Sequence, residues 1–199
     1  MEFSFPYVKS LIVKSFQDPR SAMAEVVSLQ LPRQTLWLLF ALACAASVIL
    51  SYVTGFFLPR PDLPEGTLVF EPSPFFLFGL LLASQGVLLF LGTVVAGRMA
   101  GGQGSFDDVL SLVIFQQVIL FALNVIQLII ALIIPDGAAL FGIGAMIIMV
   151  WQLCHFMAQI HGFKSAVFVF MGGVASIFVI SIVLSIVLIS LGILPLEGL

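Results

Sequence analysis

Five stretches of this chain, Thr35 to Leu58, Pro74 to Val95, Val109 to Ile134, Ala138 to Ile160 and Ser165 to Leu194, contain no Asp, Glu, Lys or Arg. Each exceeds the roughly 20 residues that a helix needs to cross about 30 Å of hydrocarbon. Inside hydrocarbon the backbone must satisfy its own polar groups, so only helices and closed barrels can span. Barrel strands alternate apolar and polar side chains, and these runs do not. The expected fold is therefore all-α: a polytopic membrane protein, a bundle of five transmembrane helices preceded by short amphipathic interfacial helices. Composition points the same way, because 61% of the residues are hydrophobic and only 9% charged, which leaves too little polar surface to coat a soluble globule. The expected division is a cytoplasmic or interfacial segment over residues 1–34 and a transmembrane domain over residues 35–199.

Basic residues near helix ends stay on the cytoplasmic side. With the N-terminus inside, the inner segments hold Lys9, Lys14, Arg20, Arg33, Arg98 and Lys164, and the outer ones only Arg60. The outer loop from Pro59 to Ser73 carries Asp62, Glu65 and Glu71. A turn of about three residues, Pro135-Asp136-Gly137, links the third and fourth spans outside, and Leu196 to Leu199 end outside. The net charge of −3 and the lack of a basic run exclude nucleic acid as a partner. Cys44 and Cys154 fall inside different spans, so neither a structural disulfide nor lipidation is expected. The first apolar run is too long for a signal-peptide core and is expected to be retained as a helix.

Before the first span, Tyr7, Val8, Leu11, Ile12 and Phe16 recur at helical spacing. Asp18 followed by Pro19 suits a second helix start, and Ala22, Met23, Val26 and Val27 form its apolar face. Two placements stay open: in the headgroup plane, or packed on the bundle as a lid.

Intramembrane charge would flag a pump or an ion path; the spans offer instead amides and one titratable group, His155. Gln117 and Asn124 share a face of the third span, and Gln152, His155 and Gln159 share a face of the fourth. A short link makes these helices antiparallel neighbours, so the five residues are expected to form a polar seam between them. That seam serves either as interhelical hydrogen bonding or as a path for a proton or polar solute with His155 as its switchable member. No ligand set with usual metal spacing arises, no nucleophile, base and oxyanion arrangement emerges, and no cofactor is implied. Small residues at Ala43, Ser47, Ser51 and Gly55 form a candidate packing ridge on the first span, as Gly172, Ser176, Ser181 and Ser185 do on the fifth. The inner loop Gly101-Gly102-Gln103-Gly104-Ser105-Phe106 lacks the Lys-Ser/Thr of a phosphate cradle. Ser105 with Asp108 suits a capping box that starts the third span.

Three stretches carry a family resemblance: Phe16-Gln17-Asp18-Pro19-Arg20; Gly101, Gly102, Gly104, Ser105 and Phe106 of the inner loop; and Trp151 with His161-Gly162-Phe163-Lys164-Ser165-Ala166. With the five-span layout, they make the chain resemble the bacterial branch of the Yip1 domain family from about Val13 to Leu194. The resemblance implies five spans, a cytoplasmic N-terminus and an external C-terminus. With the absence of targeting signals, it implies a bacterial inner membrane. Eukaryotic relatives resemble trafficking factors that bind small GTPases; the short Asp-Leu-Tyr-Gly-Pro-like signature of those members is absent here, and bacterial relatives imply no defined activity. The expected function is a non-enzymatic membrane scaffold or accessory subunit. Its expected partners are the lipid bilayer and other membrane proteins or itself. The alternative is a transporter or permeability factor for a small solute, proton or lipid.

Overall fold

A computed structural model describes residues 4–57 and 73–190, with the side chains of 55–57, 98, 184, 187 and 188 outside that description. The acidic outer loop with Arg60, Asp62, Glu65 and Glu71, the end of the first span at Leu58, the last residues of the fifth to Leu194 and the C-terminus at Leu196–Leu199 lie outside the described residues. Among the described residues seven α-helices follow in order: α1 (Phe5–Gln17), α2 (Pro19–Ser28), α3 (Arg33–Phe57), α4 (Pro74–Phe90), α5 (Phe106–Ile133), α6 (Pro135–His161) and α7 (Ala166–Ser190). A π-helical segment, Leu91–Met99, continues α4. Five helices, α3 to α7, are long and apolar enough to cross a membrane, and the described residues contain no strand. The chain is a multi-pass helical membrane protein.

Local chemistry places the helix starts. Asp18 accepts from the Ser21 N–H at 3.1 Å ahead of Pro19, which opens α2. Ser105 and Asp108 form a reciprocal capping box at the start of α5, which satisfies two otherwise free donors. The expected three-residue link between the third and fourth spans is corrected to one residue, Ile134. Pro135 has no N–H to satisfy and a φ suited to the first helical position, so α6 begins there and takes the turn residues into its first coil. The π segment was not legible in the sequence. Thr93 Oγ1 donates to Leu89 O at 2.6 Å, and a hydroxyl bonded back to a carbonyl competes with the helical ladder. The segment ends on wide turns, with Ala100 N–H donating to Val95 O and Gly102 N–H to Ala96 O.

α3 and α5 run parallel in the most extensive helix contact among the described residues, and α6 returns antiparallel along α5. The buried core gathers at the end that carries α1, α2 and the glycine loop, hereafter the hairpin end. Leu36, Phe40 and Cys44 of α3, Val109, Leu112 and Val113 of α5 and Phe156 of α6 meet Leu11 and Met23 there. α2 packs on α5 and α6, α1 packs on α2 and reaches α6 through Ser15, and Arg20 donates to Lys164 O at 3.0 Å. Among the described residues the hairpin is packed on the bundle. A forked ion pair from Arg33 to Asp107, 2.7 and 3.1 Å, ties the start of α3 to that of α5, with Phe106 under the guanidinium. α7 differs: none of its described side chains is buried, as suits a helix facing lipid.

Candidate functional site

The expected seam between the third and fourth spans is not one continuous seam, and its five residues fall into three settings. Gln117, 2% exposed, turns toward α3 instead of α6 and donates from Nε2 to Ser47 Oγ at 2.7 Å. Gln152 is fully buried and donates to Ser15 Oγ of α1 at 3.0 Å. His155 lies half-buried along its own helix, with Nδ1 2.8 Å from Trp151 O and its ring 4.7 Å from the Trp151 ring. Gln159 is half-buried. Antiparallel counting supplied the depth of each group, whereas rotation of each helix about its axis, set by packing, decided the partner.

Asn124 and Gln117 do sit together, and they face two cavities. The first, about 310 Å³ between α4, α5 and α6, is lined by Gln85, Gln116, Gln117, Asn124 and Gln127 among apolar side chains. The second, about 400 Å³ between α3, α4 and α5, adds Ser47, Ser51 and Ser84 and shares Gln117 and Asn124. Gln116 joins α5 to α6 by donating to Met149 O at 3.0 Å, and Gln127 donates to Ala138 O at 3.1 Å. Among the described residues neither cavity is lined by an acid, a base or a histidine.

The ridge on α3 divides as well. Ser47 is spent inside the bundle on Gln117, Ala43 is half-buried, Ser51 is exposed at the second cavity, and the side of Gly55 lies outside the described residues. On α7, Gly172 has no neighbour within 4 Å of where a Cβ would stand, and Ser176 and Ser185 bond back to their own helix.

The family-like loop forms the second constellation. His161, 2% exposed, sits at the end of α6 beneath it. Gly104 N–H donates to His161 Nδ1 at 3.2 Å, and Gln103 N–H donates to His161 O at 3.3 Å. A Cβ on Gly102 would fall on the His161 ring and 2.7 Å from Ala96 O, and one on Gly104 would come within 2.9 Å of the ring. Gly101 turns the loop at φ +74°, and Gly162 ends α6 at φ +71°, a region that glycine enters without steric cost. Gly92 of the π segment lets Val109 and Met157 come close, at 2.6 and 2.9 Å from a would-be Cβ. Ser105 is held in its capping box and Phe106 lies 6.2 Å from the Trp37 ring. Sequence reasoning quoted His161 only within a motif; the signal for its burial was the pair of glycines spaced to admit a ring.

An apolar groove of about 270 Å³ lies beneath α7, bounded by the π segment and α6. Among the described residues no group of three His, Cys, Asp or Glu side chains could hold a metal, and both cysteines are free, Cys44 buried in α3 and Cys154 half-buried in α6. No curated protein and no solved structure matches the chain. The model of the Yip1 domain matches residues 13–189.

Proposed function

The chain belongs to the Yip1 domain family, and from that premise we propose that it is a non-enzymatic membrane scaffold or accessory subunit that associates with other membrane proteins. The observation that carries this reading is the contrast between the two sides of the bundle. The hairpin end is closed by its own core, whereas α7 buries none of its described side chains, and its Gly172 and Ser176 line an unfilled groove against the π segment and α6. In lipid, small residues earn helix association through backbone proximity, and the α3 ridge is already engaged by Gln117. The open ridge is therefore the one on α7. The proposed setting is a bacterial inner membrane with the hairpin end in the cytoplasm, supported by the basic residues near that end.

Purification from native membranes in mild detergent, with crosslinking and mass spectrometry, tests it. A stoichiometric membrane-protein partner crosslinked to Lys9 or Lys164 is expected. Recovery of the chain alone would remove the reading's main consequence. The amide-lined cavities support a second reading, passage of a small neutral solute or lipid. Liposome flux that is lost in Gln117→Leu and kept in His155→Leu would favour it, because His155 lines neither cavity.

A further inference from the structure

The cavity between α3, α4 and α5 is lined by polar side chains that the bundle leaves without partners. Other polar groups of the spans are engaged internally. Gln116 and Gln127 each donate to a carbonyl of α6, Gln117 donates to Ser47, and Thr54, Ser84 and Thr93 bond back to their own helices. Asn124 and Ser51 differ. The Asn124 side chain makes no hydrogen bond among the described residues, and on this half-buried residue both amide atoms stay accessible. The Ser51 hydroxyl is likewise unbonded, on an exposed residue. Both side chains line this one cavity of about 400 Å³. A polar group without a partner in hydrocarbon is costly, so an amide from α5 and a hydroxyl from α3 that open on the same space call for an occupant that bonds to both.

Depth, access and charge narrow that occupant. α4 begins at the end of the bundle opposite the hairpin, and the cavity runs along it from Leu77 to Ser84, about 5 to 15 Å below that start. It therefore lies just beneath one membrane surface. Leu80, 57% exposed, stands on its wall, so the cavity opens sideways toward lipid. No charged or titratable side chain lines it among the described residues, and an unpaired ion at that depth is strongly disfavoured, so the occupant is uncharged. Asn124 Oδ1 takes a donor, whereas Asn124 Nδ2 and the Ser51 O–H take acceptors. Leu77, Leu81 and Leu120 give an apolar chain its wall. A glycerol monoester has hydroxyl donors, an ester carbonyl acceptor and a single acyl chain, and so meets each of these demands without charge.

We propose that the cavity between α3, α4 and α5 binds the head of a neutral glyceride, a hydroxyl donating to Asn124 Oδ1, the ester carbonyl accepting from the Ser51 hydroxyl, and the acyl chain leaving past Leu80 into the bilayer. The proposal concerns binding alone and depends neither on association with a partner protein nor on passage of a solute.

The test is photolabelling of the full chain in lipid nanodiscs with a diazirine-bearing monoacylglycerol. Two probes with the same acyl chain are compared with it: the methyl ester, which lacks the hydroxyls, and the lysophosphatidate, which adds charge. Saturable labelling of α3 and α5 around Ser51 and Asn124 by the monoacylglycerol, and not by the other two, is expected. Asn124→Leu, which keeps the bulk and removes the amide, should weaken labelling about three- to fifteenfold. Ser84→Phe, which fills the cavity and leaves Asn124 and Ser51 in place, should abolish it. If either variant fails to fold, competition of the label by excess unlabelled monoacylglycerol in the unmodified protein decides. Equal labelling by the methyl ester, stronger labelling by the lysophosphatidate, undiminished labelling of folded Asn124→Leu, or failure of competition would each overturn the proposal.

Discussion

The backbone N–H of Gly104 donates to Nδ1 of His161 across 57 positions of the chain, at 3.2 Å. This bond makes the glycine loop a lid on the end of α6 rather than a free connection. It also sets the tautomer: Nδ1 accepts, so the ring proton sits on Nε2. The loop, the wide final turns of the π segment and the end of α6 therefore form one packed unit around a single buried imidazole.

Gly102→Ala tests that unit. The added methyl would overlap the His161 ring and press on Ala96 O, which is backbone and cannot step aside. A loss of about 1–3 kcal/mol is expected from such overpacking, read as a lower thermal midpoint in detergent. Gly101→Ala is the comparison. It meets no neighbour, but its φ of +74° is strained for any L side chain, and about 1–2 kcal/mol is expected from backbone alone. Restoring space with His161→Ala should rescue Gly102→Ala in part and Gly101→Ala not at all. A Gly102→Ala protein as stable as the parent would sink the packing account.

Gln117 and Ser47 should be coupled. A double-mutant cycle with Gln117→Leu and Ser47→Ala removes one hydrogen bond between α5 and α3. Such bonds in membranes average about 0.6 kcal/mol and reach about 1.7. The Gln117–Ser47 value should lie toward the upper end because both groups are buried, whereas a cycle of Gln117 with His155 should give none. Coupling of Gln117 to His155 instead would restore the seam between the third and fourth spans.

The five spans were legible because the absence of charge over 22 or more residues is a property of the linear chain. The caps at Asp18 and Ser105 were legible for the same reason, since each depends on residues three positions apart. The partner of Gln117 was not, because spacing places a side chain on a face and at a depth without saying which neighbour that face meets. The close approach at Gly92 brings in Val109 and Met157 from two other helices, and Ser15 meets Gln152 across 137 positions. Neither leaves a local signature.

The Lys14–Glu25 pair, 2.6 Å across the α1–α2 hairpin, should make the hairpin pH-sensitive. The Lys14 hydrogen bond holds the Glu25 carboxyl below its ordinary value, with a further bond from Tyr7. A carboxyl whose folded value is depressed stabilises the fold above its unfolded value, and that contribution is lost as pH falls through the folded value. Lys14→Met should therefore lower the thermal midpoint at pH 7, and the difference from the parent should shrink as the pH falls into the acid range. The effect should be small and weaken with salt, because both side chains are about a third exposed, 37% and 33%. A difference that grows toward acid would reverse the assignment.

Docking of the hairpin on protein rather than on lipid has its own consequence. Met23 has no exposed surface and shares a core with Val109, Phe156 and Met157, and Ser15 Oγ accepts from Gln152 Nε2. If those contacts hold α1 and α2 in place, slow amide exchange over Leu11–Ser15 and Ala22–Val26 should persist in detergent free of phospholipid. Met23→Ala should then cost about 2–5 kcal/mol and speed exchange in the hairpin more than in α5 beyond Leu123, which lies away from that core. Fast hairpin exchange in the unmodified protein once phospholipid is removed would instead make the bilayer surface, and not the bundle, what holds these helices.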